Sequence, residues 1–207
     1  MRITDTDALL LVDIQRDFCP GGALAVTDGA AVVPLANDLA RRFPLVVLTQ
    51  DWHPAGHGSF ASTHGRPDFS TIEMPYGPQV LWPDHCVQGT AGAAFHPDLE
   101  TGHAALVLRK GMHRNIDSYS AFFENDHRTS TGLAGYLRER GVRRVVLCGL
   151  ATDFCVSWSA EDAVRCGFEA VIVEDACRAI DLDGSLAAAR RRWDAVGVTT
   201  TGSGTLG

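Results

Sequence analysis

The apolar residues of this 207-residue chain gather in short unbroken runs instead of alternating with polar ones. Leu9–Ile14, Leu45–Gln50, Ala105–Arg109, Arg144–Cys148 and Ala170–Val173 each read as a strand, and a weaker sixth lies at Val198–Thr201. A run that is apolar on both faces suits a strand covered on both sides, as in parallel sheets. Between the runs the apolar positions take a helical period. Gly29–Phe43 carries Val32, Val33, Leu35, Ala36, Leu39 and Ala40. Thr131–Arg140 stops at Gly141 and Thr152–Cys166 at Gly167, glycines suited to the residue just past a helix. Ser185–Trp193 finishes on Arg190, Arg191 and Arg192, cations that complement a helix C-terminus. Strands and helices alternating through short links predict an α/β fold. Its form is a three-layer, Rossmann-like α/β/α domain with a central, mostly parallel, roughly six-stranded sheet.

Residues 52–103 and 111–130 break this rhythm. The first is rich in Gly, Pro, His and aromatic residues and the second in polar and aromatic ones, neither with a clear period, and long irregular loops in a compact domain usually carry function. No repeat or low-complexity segment appears, so residues 1–207 are expected to form a single domain.

Composition narrows the class. Hydrophobic residues make up 45% and charged residues 21%, with a net charge of −7. Such a surface repels polyphosphate, which argues against nucleic acid and acidic membranes as partners. The first apolar run is too short for a membrane span or a signal-peptide core, and a cytoplasmic location is expected. The six cysteines form no CxxC pair, and reduced thiols are expected.

Four candidate chemical groups follow apolar runs. Asp13, Asp51 and Lys110 stand at the carboxyl ends of three predicted strands, and Cys155 opens the helix after a fourth. In open α/β sheets ligands bind beyond those ends, so all four should converge on one rim. Cys155 in the first helical turn should feel the helix dipole, which would lower its thiol pKa and make it a nucleophile; alternatively it is only a buried small residue. Asp13 is costly inside unless paired, and Lys110 is the candidate partner, either as an acid–base pair or as a structural ion pair. Asp51, His53 and the later His85 offer a carboxylate and two imidazoles, a set that suits Zn²⁺, Mn²⁺ or Fe²⁺. His57 and Ser59 are candidates for a place behind those ligands, with His57 also a candidate additional ligand. Phe18, Trp82, Tyr119 and Phe154 flank the motifs and would form a pocket for a flat heteroaromatic ring. His64, His96, His103, His113 and His127 read as surface or packing residues.

The segments LLLVDIQRDFCPGGALAV, TQDWHPAGHGSFAS, WPDHCVQGTAGAAFHPDL, LRKG with DSYSAFF, and CGLATDFCV resemble, in order and spacing, the nicotinamidase branch of the isochorismatase-like cysteine hydrolases. The resemblance covers almost the whole chain. It implies that Asp13, Lys110 and Cys155 form a catalytic triad. It implies one divalent metal ion on Asp51, His53 and His85, Zn²⁺ first, with Mn²⁺ or Fe²⁺ as alternatives. It implies a cis peptide at Leu150–Ala151, an oxyanion hole from the amides of Ala151 and Cys155, and Leu150 in the substrate pocket. The implied activity is hydrolysis of nicotinamide, and of pyrazinamide, through a Cys155 thioester, by an enzyme that can form a homo-oligomer. Other amides, a vinyl-ether substrate or a non-catalytic binding module are the alternatives.

Overall fold

A computed structural model describes residues 1–207. Its centre is a six-stranded sheet made of β1 (Asp7–Val12), β2 (Leu45–Asp51), β5 (Leu106–Lys110), β6 (Arg144–Leu150), β7 (Glu169–Arg178) and β8 (Thr199–Thr201). The spatial order is β5-β2-β1-β6-β7-β8 and every pairing is parallel. All six residues of β1 are buried, as an unbroken apolar run at the middle of a covered sheet requires. The helices are α1 (Val33–Ala40), the short α2 (Ala61–His64), α3 (Leu133–Glu139), α4 (Ser157–Arg165) and α5 (Ser185–Val196). From β1 the chain winds through α1 toward one edge; from β6 it winds through α4 and α5 toward the other. Right-handed crossovers then put α1 on one face and α4 and α5 on the opposite one, which gives the three layers.

The predicted core matches the buried one: Leu9, Leu10, Leu39, Leu48, Val146 and Ile172 are fully excluded from solvent. Gly141, Gly167 and Gly197 end α3, α4 and α5 with positive φ. Four differences stand out. The helix expected over residues 29–43 begins as a 3₁₀ turn at Gly29–Val32 and its α-helix stops at Ala40. The one expected from Thr152 opens with a π turn, Thr152–Val156. β7 runs to Arg178 through polar residues, past the apolar stretch at its start. The loop 52–103 contains a hairpin of β3 (Thr71–Met74) and β4 (Gly77–Val80), whose four-residue strands hold Gly77 and Pro78 and are too short to declare a period. No helix is long and apolar enough to cross a membrane.

The direction of winding reverses between β1 and β6. That reversal opens a crevice at the strands' carboxyl ends, where Asp13, Asp51, Lys110 and Cys155 lie.

Candidate active site

Register alone brings the first pair together. Asp51 and Lys110 end neighbouring parallel strands as direct partners, and Lys110 Nζ lies 2.5 Å from Asp51 Oδ1. The same ammonium lies 2.8 Å from Asp13 Oδ2 and 3.5 Å from Cys155 Sγ, and donates to Ser118 O at 2.7 Å. One buried cation thus touches both carboxylates and the thiol. Asp13 sits just past β1 with φ 47°. Its N–H donates to Thr49 Oγ1, whose hydroxyl returns a 2.6 Å bond to Asp13 Oδ1. Gln15 pins the backbone of Asp51 from both sides: Oε1 accepts the Asp51 N–H and Nε2 donates to the Asp51 carbonyl.

Cys155 lies in the π turn between β6 and α4. Gly149 makes the approach feasible, because a Cβ there would stand 2.2 Å from Val12 O. The peptide Leu150–Ala151 is cis, as the resemblance implied. The Ala151 carbonyl accepts the N–H groups of Phe154 and Val156, which closes the turn. Buried Asp153 anchors it from behind by accepting from the amides of Ile180 and Asp181 and from Ser185 Oγ.

These surroundings decide the protonation states. Burial pushes the Cys155 thiol well above its ordinary value, against the pull of Lys110. The expectation of a dipole-lowered thiol is therefore corrected: a helix terminus contributes about 0.3–1 kcal/mol, while full burial moves a pKa by several units. Burial also raises Asp13, opposed by Lys110 and reinforced by Asp51. Burial works against charge on Asp51 as well, yet the Lys110 ammonium together with His53 and His85 outweighs it and holds that carboxyl well below the usual range. Lys110, despite its burial, is kept firmly protonated by Asp13 and Asp51.

His53 and His85 complete a second cluster around Asp51. His53 Nε2 is 3.4 Å and His85 Nε2 3.6 Å from Asp51 Oδ2. Their Nδ1 atoms contact carbonyls, Gly111 O at 2.9 Å and Pro83 O at 2.8 Å. A carbonyl only accepts, so each Nδ1 carries a proton, and in the neutral form of each ring Nε2 turns a lone pair toward Asp51. His53 Nε2 is buried and has no hydrogen-bond partner. Two convergent imidazole lone pairs, one of them orphaned, beside an ionised carboxylate fit a divalent cation. Gly111 is essential to this packing: its φ is +65° and a Cβ there would stand 2.4 Å from the His53 ring.

His57 packs at 4.4 Å on the His53 ring, but both its nitrogens serve the loop. Nδ1 meets the N–H and the Oγ of Ser59, and Nε2 donates to His113 O. Ser59 Oγ is thus bonded to His57, the ring that packs on His53. The residue that the sequence did not point to is Asp117: Oδ1 lies 4.0 Å from His53 Nε2, and Oδ2 accepts from Gln79 Nε2.

The thiol opens into a small cavity lined by Phe18, Leu24, Trp82, His85, Asp117, Tyr119, Phe154 and Ile180 among others. Trp82 and Phe154 meet edge to face at 4.9 Å, and Tyr119 and Phe154 at 5.5 Å. Four of the five expected pocket residues line it. Leu150 does not: it is fully buried in β6, because successive strand residues face opposite ways. The arrangement combines a thiol, two carboxylates, a buried ammonium and a small cavity walled by aromatic side chains.

Comparison with known proteins follows the same lines. The isochorismatase domain family matches residues 7–203. The nicotinamidase of Acinetobacter baylyi is 54% identical over 199 residues, covering 96% of this chain and 93% of that protein. The solved Acinetobacter baumanii nicotinamidase/pyrazinamidase superposes with a TM-score of 0.96 at 54% identity, over 97% of this chain and 98% of that one. The Pyrococcus horikoshii pyrazinamidase, solved in complex with zinc, gives 0.77 at 36% identity, over 95% and 99%. Sequence and fold agree from end to end, and the chain belongs to the isochorismatase-domain family, in the group that holds these nicotinamidases.

Proposed function

We propose that this chain hydrolyses nicotinamide to nicotinate and ammonia and accepts pyrazinamide as a second substrate. The observation that carries this is the single buried thiol that shares Lys110 with two carboxylates and faces an aromatic slot beside His53 and His85. The activities named for the relatives support the substrate.

Cys155 rests as a thiol, so attack needs a base. The carboxylate of Asp13 lies within 4.8 Å of Sγ, and no donor is aligned on its buried Oδ2. Asp13 takes the thiol proton while Lys110 steadies the thiolate that forms. Sulfur attacks the carboxamide carbon, and the developing oxyanion rests on the amides of Ala151 and Cys155. Asp13 returns its proton to the nitrogen as the C–N bond breaks, and ammonia leaves. Water, deprotonated by Asp13, then cleaves the thioester to nicotinate, and the proton goes back to sulfur. Phe18, Trp82, Tyr119 and Phe154 hold the ring throughout. Asp51, His53 and His85 would hold the divalent cation, with zinc first; when bound it supplies a Lewis acid that orients a ring nitrogen. The six cysteines are all free, which suits a reducing, cytoplasmic compartment.

The test is ammonia release from nicotinamide and from benzamide, with and without prior chelation. Fast, chelator-sensitive turnover of nicotinamide, little of benzamide, and none by Cys155→Ala are expected. Absence of turnover by metal-replete protein refutes the substrate, and substantial amidase activity in Cys155→Ala refutes the nucleophile.

A further inference from the structure

The β3–β4 hairpin lies outside the main sheet, yet it sends one polar side chain into the interior. Gln79, in β4, is 1% exposed. Its Oε1 accepts from Tyr76 OH and Asn125 Nδ2, each at 3.1 Å. Its Nε2 has two protons for three acceptors around it, Val80 O at 2.7 Å, Asp117 Oδ2 at 2.9 Å and Tyr119 OH at 3.0 Å, so one proton is shared between two of them. Only one orientation of the amide satisfies these neighbours. Turned over, its oxygen would face a carboxylate and a carbonyl while its nitrogen met the Asn125 amide donor. Tyr119 OH also accepts the Trp82 indole N–H at 3.1 Å. That hydroxyl therefore lies between the Gln79 amide and the Trp82 indole, within hydrogen-bond distance of both. Trp82 and Tyr119 are two walls of the cavity over Cys155, joined through an oxygen that Gln79 fixes.

We infer that Gln79 is a positioning residue for substrate: it sets the spacing of the Trp82 and Tyr119 walls, and so the fit of the ring, without touching the reacting atoms. The inference rests on reading that cavity as the substrate slot. A residue of this kind governs how well the ring is held more than how fast the bond breaks, so its loss falls on KM.

Gln79→Leu keeps the volume and removes the hydrogen bonds. Tyr76→Phe is a gentler variant that removes one donor to Oε1. Nicotinamide KM should rise about tenfold in Gln79→Leu and about two- to threefold in Tyr76→Phe, with kcat within about twofold in both. Hydrogen exchange of the Trp82 indole supplies a readout that needs no substrate. The Trp193 indole, bonded to Ser157 Oγ at 2.7 Å in another part of the core, is the internal reference. In Gln79→Leu the Trp82 proton should exchange faster while that of Trp193 keeps its rate or follows only the fall in Tm. If Gln79 merely anchors the hairpin, Tm drops, both indoles accelerate together and KM stays near that of the wild type; that result overturns the inference. Should the unaltered protein fail to turn over nicotinamide, the substrate assignment falls, and the two indoles still decide whether Gln79 sets the wall.

Discussion

Two ion pairs occupy opposite ends of the same sheet, and both follow from register. Asp7 and Arg144 are direct partners at the amino ends of β1 and β6; Asp51 and Lys110 are direct partners at the carboxyl ends of β2 and β5. The first reaches water. The Arg144 side chain is 18% exposed and donates to Arg2 O as well as Asp7, whose Oδ2 also accepts from Thr4 N–H. The second is dry: the Lys110 side chain is wholly excluded from solvent and shared between two carboxylates. Pairing across a parallel register is thus neutral as to function. What separates a clasp from a reactive centre is the surplus. At the carboxyl end there is more negative charge than the ammonium can match, an acceptor without an aligned donor, and a thiol within reach.

That contrast can be broken by neutralising each cation. Lys110→Met should abolish turnover, by at least about a hundredfold, and cost about 3–5 kcal/mol or force Asp13 or Asp51 to take up a proton, because two buried carboxylates lose their counter-ion. Arg144→Met should cost only about 1–2 kcal/mol and leave kcat/KM unchanged. Denaturant melts and steady-state rates on both variants decide it, and equal losses would remove the distinction. His85→Ala comes next in size. It takes one lone pair from the cluster around Asp51, so metal content after dialysis should fall well below that of the unaltered protein, with nicotinamide KM raised. Unchanged stoichiometry would remove His85 from the ligand set.

Glu124 supplies a third, smaller case: a partly buried carboxyl with no cation bonded to it. Burial pushes it up to about 7, with nearby Asp126 and Asp117 adding to the rise and His113 opposing it. Its folded pKa lies above the ordinary 4.5, so the folded state holds the proton more tightly and stability is lost as pH rises from 4.5 through about 7. Glu124→Gln should therefore raise Tm at a pH above that window and leave it nearly unchanged below it. A gain of the same size on both sides would mean that the charge on Glu124 is not the cause.

The strands and the groups at their ends were legible because both rest on local pattern. A polar residue that closes a long apolar run announces itself, as Asp13, Asp51 and Lys110 did, and Cys155 was marked by its place at the helix start after another such run. The residues that hold them did not. Thr49 and Gln15 lie in or just beyond apolar runs and look like ordinary members, and only the sheet shows one bonded to Asp13 and the other gripping Asp51. Asp117 and Gln79 sit in stretches without a period, where nothing local distinguishes them from solvated loop residues. Leu150 was placed in the pocket by the resemblance alone, and in the sheet its side chain is buried and turns toward Gly29. The thiol pKa was misjudged because the sequence reveals the helix start but not the depth at which it lies.

One feature of the topology bears on how such a molecule would fail. β5 is an edge strand, hydrogen-bonded to β2 alone, and it carries Lys110 at its end with Gly111 and its grip on His53 directly after. Edge strands open locally at less cost than the whole fold. The ammonium and one imidazole are therefore hung on a part that can detach while the core stays intact. Heat should silence this protein before it melts it, with the loss reversible on cooling as β5 docks again.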